Sequence, residues 1–251
     1  MKKILVAAAK KILVAAAMAT ALAGCEVSFN SGNNSSGSTG DGDNAGQAAK
    51  AGAPFSGSTR PAMTRFVNSQ ENARSPALRQ HYVDFTFDYP SHWVITPQPA
   101  DGSASNYVRV AAPMIDHYEP FAFHVGHAYG SGNPESDRRD LDAALPGIAR
   151  QFGSTIADYR ITSMGMDRVG AYESWSWRFS ATAPSIGGSA PASVFGRGDI
   201  ILPPGATKGV LLLTLVTNRT NEVSSPAEVG QAGTIRAIFD SFRLGQPAPA
   251  K

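Results

Sequence analysis

A single cysteine, Cys25, in 251 residues is the strongest constraint on what this chain can fold into. With one thiol no internal disulfide can form, so any folded part must hold together by burying apolar surface. That surface is unevenly spread. Ile12 to Ala23 (ILVAAAMATALA) is a continuous apolar run, no large apolar residue lies between Phe29 and Phe55, and sustained patterning begins only near residue 80. The length leaves room for one ordinary domain, or two small ones, once the ends are set aside.

The apolar run follows Lys10 and Lys11, the arrangement of a secretory leader, and is too short to cross a bilayer as a permanent helix. It ends in Leu22-Ala23-Gly24-Cys25, which resembles the lipobox of bacterial lipoproteins. Small residues there let an extended backbone enter the signal peptidase, and the thiol is the nucleophile that accepts a diacylglyceryl group. A core cysteine at a helix end would not be followed at once by a complete loss of hydrophobicity. Residues 1–24 are therefore predicted to be a cleaved signal peptide, and Cys25 the lipidated first residue that anchors the chain in a lipid bilayer. Residues 2–9 and 10–17 are an identical pair (KKILVAAA), and the second copy is a complete signal without the first. Glu26 stands where an aspartate is associated with inner-membrane retention in enteric bacteria, so a diderm host would place the protein on the outer membrane, facing the periplasm. Removing Lys2, Lys3, Lys10 and Lys11 with the leader turns the formal charge from +2 to about −2, which leaves no basic footprint for nucleic acid.

Residues 25–75 are expected to be a disordered tether. Its Ser, Gly, Asn and Ala cannot bury enough surface to offset the entropy of ordering. About 50 such residues have a root-mean-square reach on the order of 40 Å, against a radius of gyration near 15 Å for a domain of about 170 residues. A module on this tether works in the aqueous compartment rather than on the lipid.

Residues 76–245 are expected to form the domain, with 246–251 a frayed tail. Residues 81–89 alternate, with Val83, Phe85, Phe87 and Tyr89 on one face. Strands are also predicted at 106–112 and 120–128. A helix follows with Leu141, Leu145, Ile148 and Phe152 inward, Ser136 as its N-cap, and a kink or early stop at Pro146-Gly147. Four more strands are predicted, at 157–165, 171–182, 192–202 and 209–216. The second of these sets Trp175, Trp177 and Phe179 on one face, and Gly196 and Gly198 imply a bulge or break in the third. The last, GVLLLTLV, is apolar on both sides and reads as a central strand covered on both faces. Ser225-Pro226-Ala227-Glu228 is a capping box opening a final helix with Val229, Ala232, Ile235, Ile238, Phe239 and Phe242 inward. The order is that of an α+β layered sandwich, a twisted and mostly antiparallel sheet flanked by helices.

Two stretches carry a family resemblance. FTFDYPSHWVI resembles the F-x-F-x-Y-P-x-x-W start of the PsbP/Mog1-like superfamily, and IRAIFDSFRL is similar to the helix that closes those domains. The resemblance spans about residues 80–244, with specific matches at the two ends. It implies the same sandwich, a buried Trp93, and a place among signal-bearing lipoproteins. The family's known activities, support of the photosynthetic oxygen-evolving complex and binding of a small GTPase, have no residues here that carry them over.

The chemistry-bearing residues are sparse. Asp116, His117 and Glu119 are the weak metal candidates, in a loop next to a strand holding His124 and His127, which point to opposite faces at a spacing of three. No G-x-S-x-G, S-x-x-K or H-E-x-x-H occurs, and the cysteine is spent on lipid. Asp84 and Asp88 read as the solvated side of a strand, Met164 and Met166 as core filling, and the tryptophan stripe as core rather than a ligand platform. The preferred reading is a non-enzymatic binding or assembly module, without cofactor, facing an envelope protein partner. The alternative is a small-ligand or metal-binding enzyme-like domain using residues 113–120.

Overall fold

A computed structural model describes residues 61–97 and 106–245. The leader, Cys25, most of the tether and the tail lie outside these residues. Among the described residues ten strands form two sheets in which every pairing is antiparallel. The large sheet contains β3 (Val94–Pro97), β4 (Asn106–Ala111), β5 (Phe121–Tyr129), β6 (Arg160–Val169), β7 (Tyr172–Ala183), β8 (Ala192–Ile201) and β9 (Lys208–Thr217), in the order β3-β4-β5-β9-β8-β7-β6. The small sheet places β2 (Phe85–Pro90) between β1 (Met63–Val67) and the short β10 (Arg243–Leu244). Three α-helices accompany them: α1 (Pro76–Gln80), α2 (Pro134–Phe152) and α3 (Gly233–Ser241).

The layers follow from the two apolar faces of the large sheet. Its inner face packs Val108, Phe123, Val125, Leu212 and Val216 against Phe85 and Phe87 of the small sheet and Ile235, Ile238 and Phe239 of α3. Its outer face packs Trp177, Phe179 and Leu213 under Leu141, Leu145, Ile148 and Phe152 of α2. β9 is the middle strand of the seven and feeds both cores, which is why GVLLLTLV lacks a polar face. Trp93 is buried and stacks on Phe121 at 5.4 Å.

Several expectations are corrected. The fold begins before residue 76: β1 pairs with β2 from Met63↔Pro90 to Val67↔Thr86, so residues 61–75 are not tether. A single buried residue in β1, Phe66, is too weak a pattern to announce the strand. β2 starts at Phe85 rather than His81, and Thr86 is buried with its neighbours because β1 and β10 flank the strand. Asn133, not Ser136, caps α2: its side chain accepts from the Ser136 N–H at 3.0 Å, and Pro134 occupies the first turn where no N–H is needed. The helix runs through Pro146 to Phe152. The strand expected at 157–165 lies at 160–169, and β8 is continuous through both glycines.

The closing helix is shorter than its capping box implies. Pro226–Glu228 is one 3-10 turn, whose Glu228 carboxylate accepts from the Ser224 N–H rather than from that of Ser225. Gly230 and Gly233 then take φ of +76° and +68°, which ends that turn before α3 begins and leaves Ala232 exposed. Glu222 caps α3 from outside, accepting from the Thr234 N–H and hydroxyl at 2.8 Å each.

Candidate functional site

The tryptophan stripe is core: Trp175, Trp177 and Phe179 are all buried. β7 directs Trp175, Trp177 and Phe179 toward α2, where Phe152 lies 6.1 Å from Trp177 and 5.2 Å from Phe179. On β8 the opposed residues are Gly198 and Gly196. A Cβ on Gly198 would stand 2.2 Å from the Trp177 ring, and one on Gly196 2.0 Å from Phe179. The alternate glycines mark a seat for two aromatic rings, not a break in the strand. Trp175 is held by its indole N–H, which donates to Asp142 of α2 at 2.8 Å.

β6 completes this face as the outermost strand. Met164 lies opposite Trp177 and Met166 opposite Trp175, and the two methionines are 45% and 41% exposed. This corrects the reading of them as core filling: their spacing matched the stripe, but among the described residues no neighbouring strand or helix fully covers them. Beside Met166 an open groove of about 440 Å³ runs over Trp175 and Leu202, between Glu135 at the start of α2, Glu173 and the Pro203-Pro204 turn.

The opposite side of the same strands carries a buried polar network. Ser174, Ser176 and Arg178 of β7 and Arg197, Asp199 and Thr214 of β8 and β9 are all buried. Arg197 forms a two-pronged bond to Asp199 and donates to the Arg168 carbonyl at 2.9 Å, with Phe239 5.0 Å beneath its guanidinium. Arg178 donates to the carbonyls of Pro226 and Val229 and to Asp167. Burial pushes the Asp167 carboxyl up, but Arg197, the Arg168 N–H and Arg178 outweigh it and hold the group below its ordinary range. Burial, then Arg197, pushes Arg178 down despite Asp167. The hydroxyls of Ser176 and Thr214 have no hydrogen-bond partner. Chemically the network is a latch: its charges neutralise one another and tie the β6–β7 hairpin and the 226–229 segment onto the sheet. A Ser/Arg alternation on β7 gives no sign of it, because the layer that covers these residues comes from fifty residues downstream.

The predicted metal residues are not brought together. Asp116 and His117 sit at the tip of a tight turn, with φ of +49° and +69°, closed by reciprocal backbone bonds between Ile115 and Tyr118. Glu119 is engaged by Arg109, and the His117 ring packs close to Gly187. His124 is buried, opposite Arg109 and Leu213 on the neighbouring strands, and its Nδ1 has no partner among the described residues. Burial first, and Arg109 second, push its pKa down to about 3. His127 stacks on His81 at 5.3 Å on the inner side. Among the described residues no three of His, Cys, Asp or Glu gather as a metal ligand set. Asp84 accepts from the Tyr82 hydroxyl and Asp88 pairs with Arg65, so the two carboxylates do not act together.

No family model matches the chain, and no curated protein matches it. Solved structures do. A protein from Bacteroides thetaiotaomicron is 10% identical, with a TM-score of 0.38 over 64% of this chain, which spans 45% of its length. LpqN, involved in cell envelope biogenesis of Mycobacterium tuberculosis, is 12% identical, with a TM-score of 0.42 over 73% of this chain and 92% of its own. Cyanobacterial PsbP (CyanoP) from Synechocystis is 9% identical, with a TM-score of 0.41 over 77% of this chain and 98% of its own. At these scores the likenesses assign no function. Among the described residues no helix is long and apolar enough to cross a membrane.

Proposed function

We propose that the protein is a lipid-anchored, non-enzymatic binding or assembly module of the cell envelope, which docks a protein partner along β6 and the adjoining groove. The observation that carries this reading is the pair Met164 and Met166, exposed on an outermost strand and continuous with a groove floored by Trp175. An edge strand offers unpaired backbone donors and acceptors, and a neighbouring apolar groove adds selectivity for side chains, the two components of strand addition. Anchoring rests on Leu22-Ala23-Gly24-Cys25, and outer-membrane placement on Glu26.

Two experiments test it. A photo-crosslinking residue at position 164 of the full-length chain, in its native envelope, is expected to trap a protein adduct, while one at the exposed position 139 of α2 traps none. Equal trapping at both positions overturns the docking surface. Cys25→Ser is expected to leave an uncleaved precursor without labelled palmitate, because a hydroxyl is too weak a nucleophile to replace the thiol. Undiminished labelling overturns the anchor.

A further inference from the structure

β6 presents ten residues of sheet edge with no neighbour on its outer side among the described residues. Long edges are ordinarily blunted by charges, especially Lys, by Pro or by bulges, or covered. β6 contains no Lys or Pro, and its charged residues, Arg160, Asp167 and Arg168, stand toward its ends. A register shift between Ile161 and Ser163 confines the regular ladder to Ser163–Val169. Within it, Ser163-Met164-Gly165-Met166-Asp167 has the same order of polar, methionine and glycine positions in both directions about Gly165.

We propose that β6 pairs antiparallel with β6 of a second copy of this chain, across a two-fold axis through Gly165. The inference rests on the reading of β6 as the docking surface and names its occupant. Opposed residues of an antiparallel pair share a face, so the axis can sit only at a residue and not between two. At Gly165, each Met164 faces the Met166 of the other copy, and each Ser163 hydroxyl faces an Asp167 carboxylate. Within the Ser163–Val169 ladder no like charges oppose one another. An axis at Met164 would leave Ser163 against Gly165 as the one facing pair on either side of it inside the regular ladder, and would set each Met166 against the irregular Thr162. An axis at Met166 would set each Met164 against a guanidinium. The Gly165 register alone joins four soft, adaptable methionine side chains into one row beside Trp175 and Trp177, and it forms a closed, isologous interface.

The register makes the test specific. In the full chain carrying Cys25→Ala the introduced thiol is the only one. Met164→Cys and Met166→Cys are made separately. Directly opposed Cα atoms lie about 4.5–5.5 Å apart, within disulfide reach, whereas each residue and its own symmetry copy stand on a diagonal of roughly 7–8 Å. Mild oxidation of the mixed variants is expected to yield at least several-fold more linked dimer than either variant alone. A mixture no better than the single variants overturns the proposal. Sedimentation equilibrium of the Cys25→Ala chain is expected to give the mass of two chains, falling to one for Met164→Lys with its melting temperature kept. One-chain mass throughout overturns it as well. A monomeric chain whose photoprobe at 164 traps a different envelope protein refutes self-pairing alone. No adduct of any kind refutes the docking surface too.

Discussion

Arg197 and Asp199 stand two residues apart on the same face of β8, joined by two bonds of 2.8 Å, and neither exposes more than 1% of its side chain. The pair is the centre of the latch. Ser174 donates to the same Asp199 carboxylate at 2.9 Å, and Arg197 reaches out to Asp167 and the Arg168 carbonyl.

Removing one member leaves the other charged and enclosed. Asp199→Ala is expected to cost about 3–5 kcal/mol, the range for a buried pair broken from one side, against a total stability of about 5–15 kcal/mol. The double variant Arg197→Met, Asp199→Leu is expected to lose less than Asp199→Ala, because no unpaired charge remains. Urea melts check both. A double variant as unstable as the sum of its singles would show that the pair does not act as a unit.

Gly198 and Gly147 separate packing from conformation. Gly198→Ala drives a methyl into the Trp177 ring and is expected to cost about 1–3 kcal/mol through overpacking. Gly147 lies in α2 with nothing within 4 Å of its added Cβ. Gly147→Ala is therefore expected to stabilise by about 0.5–1 kcal/mol, the difference in helix propensity. Thermal melts of opposite sign are the expected outcome.

The aromatic seats were half legible in the sequence. Trp175, Trp177 and Phe179 announce a packed face by their period of two, and GVLLLTLV announces its place in the middle of the sheet. The glycines opposite them read as weakness, because their reason is a ring on the neighbouring strand and not anything local to β8. β1 and β3 stayed hidden for a related reason: they are short edge strands whose burial is set by partners, with β3 pairing only with β4. The latch was illegible altogether, since a buried Arg and a solvated Arg share one letter. At the candidate surface the sequence singled out the methionines, and only the structure showed that they stay exposed among the described residues.

Trp93 and Trp177 anchor different cores, so their truncations report on different layers. Each is expected to cost about 3–5 kcal/mol as alanine, and with one cysteine in the chain no disulfide compensates. Trp175→Ala removes the hydrogen bond to Asp142 as well as ring packing and is expected to destabilise too. Near-normal melting of Trp175→Ala with loss of partner adducts would assign that indole to the docking surface instead of the core.

His124 is expected to make the fold sensitive to mild acid. Burial and Arg109 lower its pKa in the folded state to about 3 from 6.5, so the unfolded chain binds a proton more readily throughout that interval. Stability from this group is complete above pH 6.5 and falls with acidification by about 1.4 kcal/mol per pH unit until the folded-state value is reached. His81 is displaced in the same direction, by burial and then Lys208. The carboxylates held low, Asp167 and Glu228, begin to lose their contribution as the pH falls into the usual carboxylate range, from about pH 5 downward. Urea melts between about pH 6.5 and 5 therefore isolate the histidines. His124→Leu removes one of them and is expected to flatten the slope by roughly one proton relative to the unaltered chain. An unchanged slope would show that His124 reaches solvent or a partner when it takes up its proton.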